Sequence, residues 1–269
     1  MPTCSLWHFK YGATKLATSQ AFRRDPSLVW QFYHWCREVV SRCRPVQQPQ
    51  PWPRGAGRVR AQAAEQGQRF VLITQNTDRL HQAAGSSNVV EMYGSLWDVV
   101  GATPAGFRDL GRPPWEDRRQ RLVPALEGSS DPDAQPADVP VEELPHSEQG
   151  QLLRPGVVWF YENLHKAVND RIDDELDQAD LLLIIGTSSV VSSSSQLAGY
   201  ALRQVAKRGV PVVEINLEPT DNSRVCRMSI QGRAGELLPE LLGVAGDPAV
   251  AAAVEEQRSS SSAGGRNSR

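Results

Sequence analysis

Two polar stretches of this chain carry side chains that are suited to holding a cofactor and acting on it. The first, Thr74-Gln75-Asn76-Thr77-Asp78, offers amide, hydroxyl and carboxylate groups at consecutive positions. The second, Tyr93-Gly94-Ser95, follows closely and is bounded by apolar residues. We interpret the first as a cofactor-binding loop and the second as a position from which a side chain takes part in the chemistry.

Two further polar groups lie later in the chain. In Gly186-Thr187-Ser188-Ser189, the glycine lets the backbone approach a phosphate, and the hydroxyl and N–H groups can hydrogen-bond it. Asn216 and Glu218 can hydrogen-bond ribose hydroxyls. Taken alone, the first group is equally consistent with an ordinary βα turn, and Asn216 and Glu218 with turn residues.

Three of these four polar groups directly follow a short apolar run. The runs are residues 70–74, 181–185 and 210–215, and each has the length of a strand. Unbroken apolar runs of this length are typical of strands covered on both faces. Because ligands bind outside the carboxyl ends of strands in open parallel sheets, the polar groups at these ends predict a nucleotide-sized ligand.

Two amphipathic patterns predict helices beside these strands. Apolar residues recur at every fourth position, and Gly209 is a suitable C-terminal stop for the second helix. Helix and strand patterns in this order predict an α/β fold with a Rossmann-like, doubly wound parallel sheet. The apolar positions are Leu164, Val168, Ile172 and Leu176 in the first pattern and Leu197, Ala201 and Val205 in the second.

Composition predicts one large domain, or a domain with a small insert. The chain has 269 residues, 40% hydrophobic content and a formal net charge of −2, so nothing indicates a nucleic-acid surface. No apolar run reaches the ~18 residues of a membrane helix. Its four cysteines, Cys4, Cys36, Cys43 and Cys226, form neither a zinc-site pattern nor a disulfide framework, which indicates free thiols in a reducing compartment.

Several segments lack periodicity. Residues 103–151 are rich in Pro, Gly, Asp, Glu and Ser, and we expect a long loop or poorly ordered insert outside the core. Residues 44–57 form a Pro/Gln/Gly/Arg-rich interruption, and the end from residue 258 is expected to be disordered. The basic first 24 residues suit either a transit peptide or an ordinary domain segment; we favour the second.

The motifs together resemble the sirtuin family, the NAD-dependent protein-lysine deacylases. In order and spacing they are Thr-Gln-Asn-x-Asp, x-Gly-Ser, Val-Val-Trp-Phe-x-Glu, Gly-Thr-Ser-Ser-x-Val and x-Asn-x-Glu. The likeness extends to Leu16-Ala17-Thr18, Trp30-Gln31-Phe32-Tyr33 and Leu152-Leu153-Arg154-Pro155, and it is greatest for the desuccinylase and demalonylase branch of the sirtuin 5 type. It covers residues 7–242, with 99–151 as a remnant of the zinc-module insert and 243–269 as a tail that we expect to be disordered.

The resemblance implies that NAD is the cofactor and that acylated lysine side chains of proteins are the partners, with no nucleic acid and no membrane. The acyl oxygen would attack the nicotinamide ribose and expel nicotinamide, and a histidine base would then activate a ribose hydroxyl, giving free lysine and an acyl-ADP-ribose. A mitochondrial location is favoured over a cytoplasmic or nuclear one. The implied cofactor-binding residues are Trp7, Gln75, Asn76, Asp78, Gly186, Thr187, Ser188, Asn216 and Glu218, and the implied substrate-binding residues are Tyr33, Cys36, Val157, Val158, Trp159 and Phe160.

Tyr93 stands at the position of the family's base histidine and is our candidate catalytic residue. Histidine suits a general base because its unperturbed pKa of ~6.5 lies near the working pH. A phenol with a pKa of ~10 is protonated at pH 7, and loss of a general base typically costs ~10²–10⁴-fold in rate. We therefore expect impaired catalysis.

Other family features are altered. The first cysteine pair of the zinc module aligns near Gly101 and Pro104 and the second near Ser147-Glu148-Gln149, so we expect no zinc site. The acyl-selective Tyr-x-x-Arg motif appears as Tyr33-His34-Trp35-Cys36 with Arg37 one residue late, and Tyr161 replaces a glycine. The family's glycine-rich first βα loop finds no match, so we expect a missing first strand, exposed neighbouring strand edges and weakened NAD binding.

Three functions remain open from the sequence. The chain is an active NAD-dependent deacylase, a sirtuin-like protein that binds NAD, ADP-ribose or a partner without catalysis, or a truncated relic or gene-model fragment. Nicotinamide release separates the first from the other two, and a binding titration separates the second from the third.

Overall fold

The computed structural model describes residues 13–43, 65, 67–111, 113–117, 139–187, 197–246, 248, 250–252 and 254–255. Within these residues, helices and strands alternate along most of the chain, as the α/β prediction requires. None of the described helices combines the length and apolar character needed to cross a membrane. The Trp7 and Ser188 predictions lie outside the described residues, as does the interruption at residues 44–57.

Three helices form the N-terminal part: α1 (Ala13–Leu16), α2 (Ser19–Arg24) and α3 (Pro26–Cys43). The Thr18 hydroxyl accepts the Ala21 N–H at 3.0 Å and so caps the start of α2. At the start of α3, the Asp25 carboxylate accepts the Leu28 N–H at 2.8 Å, and proline stands at the first helical position. These caps define where each helix begins and so which face α3 turns to the core.

The long helix α3 packs on a three-stranded antiparallel sheet. The strands are β3 (Gly94–Gly101), β4 (Trp115–Glu116) and β5 (Leu153–Val157), and β3 lies between the other two. Trp30 of α3 is buried, and its indole N–H donates to the Leu153 carbonyl oxygen at 3.0 Å. This first core holds α3, β3 and β5 together through Val29, Trp30, Phe32, Leu96, Val99, Leu153 and Trp159, among others.

The predicted parallel strands are confirmed. β1 (Leu72–Thr74) pairs in parallel with β2 (Val89–Glu91). The short helix α4 (Leu80–Ala83) lies between these two strands in the sequence. Further along, β6 (Leu182–Ile185), β7 (Val212–Asn216) and β8 (Met228–Gln231) form a parallel sheet in that order. Each predicted strand begins one or two residues later than its apolar run.

The two predicted amphipathic helices are also confirmed as α5 (Lys166–Asp177) and α6 (Leu197–Ala206). The apolar faces of α5 and α6 form a second core with both groups of parallel strands, through Val90, Ile172, Leu176, Ile184, Ala201, Val205 and Val212. A further helix, α7 (Ala234–Leu241), follows β8. The parallel strands form two groups instead of one sheet. Among the described strands β1 pairs only with β2 and β6 only with β7, so each leaves one edge unpaired.

The segment at residues 103–151 departs from expectation. Its described part contains β4 and a short 3-10 helix at Val141–Glu143, and Val139 and Leu144 are buried in the first core. The prediction that this segment contributes nothing to the core was therefore wrong. Short apolar contacts in irregular backbone carry no period, so the sequence pattern did not reveal them. Packing also continues beyond residue 242, because Val244 and Val250 are buried.

Candidate functional site

The predicted nicotinamide loop follows β1 and is held by its own backbone and by β3. The Thr74 hydroxyl accepts the Asn76 N–H at 3.1 Å, and the Asp78 carboxylate accepts the Leu80 N–H at 2.9 Å. The Thr77 carbonyl accepts the Leu96 N–H at 2.9 Å. The loop therefore has a fixed backbone that joins the parallel strands to the antiparallel sheet, with Asn76 exposed and Gln75 half-buried.

Arg79, the residue that ends this loop, organises its far side. It adopts a left-handed conformation with φ 58° and lies 3.1 Å from Glu91 Oε1, 3.0 Å from Asp98 Oδ1 and 3.2 Å from Glu116 Oε2. One guanidinium thus links β2, β3 and β4 to the loop. The sequence analysis missed Arg79, because its three partners are distant in sequence and only the fold brings them together.

Tyr93 lies directly against the predicted substrate-binding segment. Its carbonyl oxygen accepts the Val158 N–H at 2.9 Å, and the next residue, Gly94, pairs with Val157 across β3 and β5. Gly94 has φ +70°, and a Cβ there would lie 2.3 Å from the Gly156 carbonyl oxygen, so only glycine allows this approach. The contact brings the candidate catalytic position and the candidate substrate strand together.

The Tyr93 side chain packs against the second core, with Ile184 and Val212 in the same cluster. Its hydroxyl oxygen is buried and has no hydrogen-bond partner within the described part of the chain. Burial raises the pKa of Tyr93 above the ordinary value for a phenol. The group is therefore a neutral hydrogen-bond donor at pH 7.

The substrate-binding predictions meet at Trp159. Its indole N–H donates to the Tyr33 hydroxyl at 2.8 Å, and the next residue, Phe160, donates its N–H to the Ala17 carbonyl oxygen at 3.0 Å. Tyr33 and Cys36 lie one turn apart on the buried face of α3. Burial raises the pKa of both Tyr33 and Cys36, so both are neutral. Tyr33, Cys36 and Trp159 thus form a neutral wall beside Val157 and Val158.

Arg37 is directed away from this wall. Its Nε donates to the Leu96 carbonyl oxygen, and its Nη1 donates to the Asp117 carbonyl oxygen at 3.1 Å. Burial is the largest influence on this guanidinium and lowers the pKa of Arg37 to about 10, so it remains charged at pH 7. An arginine held by backbone carbonyls does not offer the fork that binds an acyl carboxylate.

A buried ion cluster supports the candidate substrate segment. The Arg154 side chain is fully buried, and its Nη1 lies 2.5 Å from Glu162 Oε1. Glu162 also lies 3.5 Å from Arg108 and accepts the Trp159 N–H at 3.0 Å. Glu162 and Arg154 appear in the family-like motifs, but no role could be given to them from the sequence, because a charge in a short motif does not reveal its partner.

The phosphate-side residues follow β6 and β7. Gly186 has φ +63°, which suits glycine, and its N–H donates to the Ile215 carbonyl oxygen at 2.9 Å. The Asn216 amide donates to the Thr187 carbonyl oxygen at 2.9 Å and so joins the two strand ends. Glu218 is exposed at the start of the loop after β7.

Glu214 lies two residues before Asn216 and is a second group that the sequence analysis missed. It is fully buried, and its carboxylate accepts the Ser229 hydroxyl at 3.0 Å and the hydroxyls of Thr220 and Ser223. Three hydroxyl donors satisfy this buried charge and fix the loop after β7. A single glutamate inside an apolar run was the signal that could have indicated such a buried acceptor.

The residues at the zinc-module positions offer no thiol or imidazole group: they are Gly101, Pro104 and Ser147-Glu148-Gln149. The described residues contain no group of three or more His, Cys, Asp or Glu side chains able to hold one. A Cβ at Gly101 would lie 2.6 Å from Gln151 Oε1, so the Gln151 amide fills the space beside Gly101. The Gln151 amide donates to the Ala102 carbonyl oxygen at 3.3 Å and to Asp109 Oδ2 at 3.1 Å. These hydrogen bonds join the segment that contains Gln151 to the segment that contains Ala102 and Asp109.

Replacing Gln151 with alanine is expected to lower the free energy of unfolding by about 1–2 kcal/mol, because two hydrogen bonds are lost, one of them to a carboxylate. Urea denaturation measures the change, and Glu148→Gln at a neighbouring exposed position is expected to leave stability unchanged. A chelator is expected to leave the melting temperature of the parent chain unchanged. A clear decrease on chelation would show that a metal is bound after all.

Comparisons with known proteins all point to the same family. The family model described as "Sir2 family" matches residues 4–193 of this chain. The chain is 44% identical over 238 residues to the mitochondrial NAD-dependent protein deacylase sirtuin-5 of Canis lupus familiaris, covering 87% of this chain and 72% of that protein. It is 40% identical to an NAD-dependent protein deacylase of Daphnia pulex, covering 88% of this chain and 82% of that protein.

Solved structures share the fold. A Sir2 homologue in complex with NAD aligns with a TM-score of 0.68 at 32% identity, covering 94% of this chain and 84% of that one. A Sir2 structure with a p53 peptide and NAD⁺ aligns with a TM-score of 0.61 at 22% identity, covering 84% of this chain and 80% of that one. The sequence matches over most of the chain and the common Rossmann-like α/β fold show that this chain belongs to the Sir2 family, the sirtuins.

Proposed function

We propose that this chain is an NAD-dependent protein-lysine deacylase whose turnover is limited at Tyr93. The observation that carries the proposal is the hydrogen bond from the Val158 N–H to the Tyr93 carbonyl oxygen at 2.9 Å. It joins the position of the reacting group to the segment that would pair with the substrate peptide. Relatives named NAD-dependent protein deacylases support the reaction class.

The roles of the cofactor-side residues follow from their positions at strand ends. Gln75, Asn76 and Asp78 hold the nicotinamide and its ribose, because their loop lies between β1 and Tyr93. Gly186 and Thr187, joined to β7 through Asn216, receive the phosphates and the adenosine end. Bound NAD would supply the ribose carbon that the acyl oxygen attacks, with nicotinamide as the leaving group. The chain orients the two reactants and excludes water from between them.

The substrate-side residues present an acylated lysine to this site. The strand end at Val157 and Val158 pairs with peptide backbone, while Trp159 and Phe160 wall the path of the lysine side chain. Tyr33 and Cys36 close the end of that path with neutral groups, and Arg37 is held by carbonyl oxygens elsewhere. A neutral acyl group is therefore favoured over a succinyl or malonyl group.

Tyr93 limits the reaction because it lacks an accessible basic form. Burial raises the pKa of its phenol, which keeps the proton on oxygen at neutral pH. A general base must accept a proton near the working pH, and the phenol instead donates a hydrogen bond. Substrate and cofactor binding do not depend on this proton, so binding persists while turnover is slow.

The second candidate function is binding of NAD, ADP-ribose or an acyl-lysine partner without turnover. The buried, unbonded Tyr93 hydroxyl favours it, since a neutral donor suits holding a ligand oxygen better than removing a proton from it. The same residues would form the site in both cases. The two candidates differ only in whether nicotinamide is released.

Nicotinamide release from NAD in the presence of an acetyl-lysine peptide tests the proposal. We expect slow, peptide-dependent release, together with a heat signal when ADP-ribose is titrated into the purified chain. Heat without any peptide-dependent release would support the binding function in place of catalysis. A chain that melts cooperatively but gives neither a heat signal nor nicotinamide release would contradict both candidates.

A further inference from the structure

Tyr161 is the most exposed large apolar side chain beside the candidate substrate segment. It is 86% exposed, and its backbone has φ +68°, a left-handed conformation that is unfavourable for an aromatic residue. It occupies the third position of a β-turn in which the Glu162 N–H donates to the Trp159 carbonyl oxygen at 3.1 Å. Glycine or asparagine is the usual residue where such a turn requires positive φ.

The turn is anchored on both sides, so it cannot relax to suit tyrosine. On one side the Phe160 N–H donates to the Ala17 carbonyl oxygen at 3.0 Å. On the other, Glu162 is bound to the buried Arg154, and Arg108 donates to the Asn163 carbonyl oxygen at 2.6 Å. Strained, over-determined residues of this kind concentrate where a protein meets its ligand. The strain and the exposure are independent observations about the same side chain.

We infer that Tyr161 is a specificity-determining residue that contacts an aromatic or branched aliphatic side chain next to the acyl-lysine of the substrate. The inference rests on the proposed function, because the substrate peptide is what brings such a side chain to the turn. An exposed tyrosine on a rigid turn loses little conformational entropy on binding and offers a large apolar face. It directly follows Trp159 and Phe160, so the contact continues the proposed peptide-binding segment.

The charged groups around the turn favour an apolar contact over an ionic one. Glu162 is already paired with Arg154 and Arg108, and Lys166 is paired with Asp170. Burial, and to a lesser extent Arg108, lowers the pKa of His165, which leaves that ring neutral at pH 7. The carboxylates of Glu162 and Asp170 are thus already paired and do not attract a cationic substrate residue.

Peptide binding in the absence of NAD tests this inference without turnover. Acetyl-lysine peptides would carry tryptophan, leucine, alanine or glutamate at each position flanking the lysine, and fluorescence polarisation would give each Kd. With the parent chain, we expect tryptophan or leucine at one flanking position to bind about fivefold more tightly than alanine, as for a buried interface aromatic contact. Tyr161→Gly is expected to abolish this preference, and Tyr161→Phe to retain most of it.

Thermal melting controls for folding, and Tyr161→Gly is expected to melt at the same or a higher temperature because glycine relieves the strained φ. Binding that does not depend on the flanking residue, or a preference that survives Tyr161→Gly, would overturn the inference and leave the proposed function intact. Failure of every acetyl-lysine peptide to bind the folded chain would instead contradict the proposed function, and the role of Tyr161 with it.

Discussion

Replacing Tyr93 with histidine is expected to raise the steady-state rate of peptide deacylation by ~10²–10⁴-fold, the usual contribution of a positioned general base. The imidazole would replace a buried phenol whose pKa is raised by burial and whose hydroxyl has no partner within the described residues. The backbone would not move, because Gly94 next to it is locked against Gly156 and the Val158 N–H binds the residue 93 carbonyl.

The pH dependence identifies the introduced group. The rate of Tyr93→His is expected to rise with pH through the ordinary imidazole pKa of ~6.5 and then level off, since only the neutral ring accepts a proton. The parent chain has a phenol at residue 93 in place of the imidazole, so its slow rate is expected to show no such step.

Tyr93→Phe is the matched control for the loss of the hydroxyl. Removing a buried hydroxyl that has no partner among the described residues costs no hydrogen bond there, so stability is expected to stay the same or increase slightly. The residual rate is expected to stay unchanged. If Tyr93→His binds ADP-ribose and melts cooperatively but gains no activity, residue 93 is not the position of the base.

The sequence predicted the elements of the α/β part well, for a physical reason. Residues 70–74, 181–185 and 210–215 are almost wholly apolar because helices cover them, and such runs can be recognised without knowing the partner elements. The polar residues that follow them stand out against these runs, but an ordinary turn uses the same residue types, so their position at strand ends was needed to indicate a ligand. The resemblance then assigned Tyr33 and Trp159 to one region, and their side chains are hydrogen-bonded at 2.8 Å.

Groups that act through distant partners could not be predicted in this way. Arg79 binds three carboxylates from three strands, and Glu214 accepts two hydroxyls from the loop that follows it and one from β8. Val139 and Leu144 belong to the core without any helical or strand period. In each case the residue type alone is ambiguous, and its energetic role depends on contacts that exist only after the chain has folded.

Arg37 illustrates how the structure makes a sequence observation more specific. The sequence shows only that this arginine stands one residue late, which turns it by ~100° on a helix. The structure shows where the rotated guanidinium goes: to the carbonyl oxygens of Leu96 and Asp117 and to 5.6 Å from the centre of the Trp97 ring. Arg37 is therefore part of the support for β3.

Replacing Glu162 with glutamine is expected to lower the free energy of unfolding by about 3–5 kcal/mol, the usual cost of leaving a buried charge without its partner. The Arg154 side chain is fully buried, lies 3.3 Å from the Trp159 ring centre, and has Glu162 as its carboxylate partner. Burial lowers the pKa of Arg154, but the guanidinium stays charged, so the loss of the carboxylate is not relieved by deprotonation.

Urea denaturation measures the loss, and an exposed ion pair provides the matched control. Lys166 and Asp170 lie 2.6 Å apart at the surface, and Asp170→Asn is expected to change stability by no measurable amount because solvent screens that pair. Adding Arg154→Met to Glu162→Gln is expected to restore part of the stability, since the uncompensated charge is then gone. Equal, small losses from Glu162→Gln and Asp170→Asn would contradict the view that this buried pair holds the substrate segment in place.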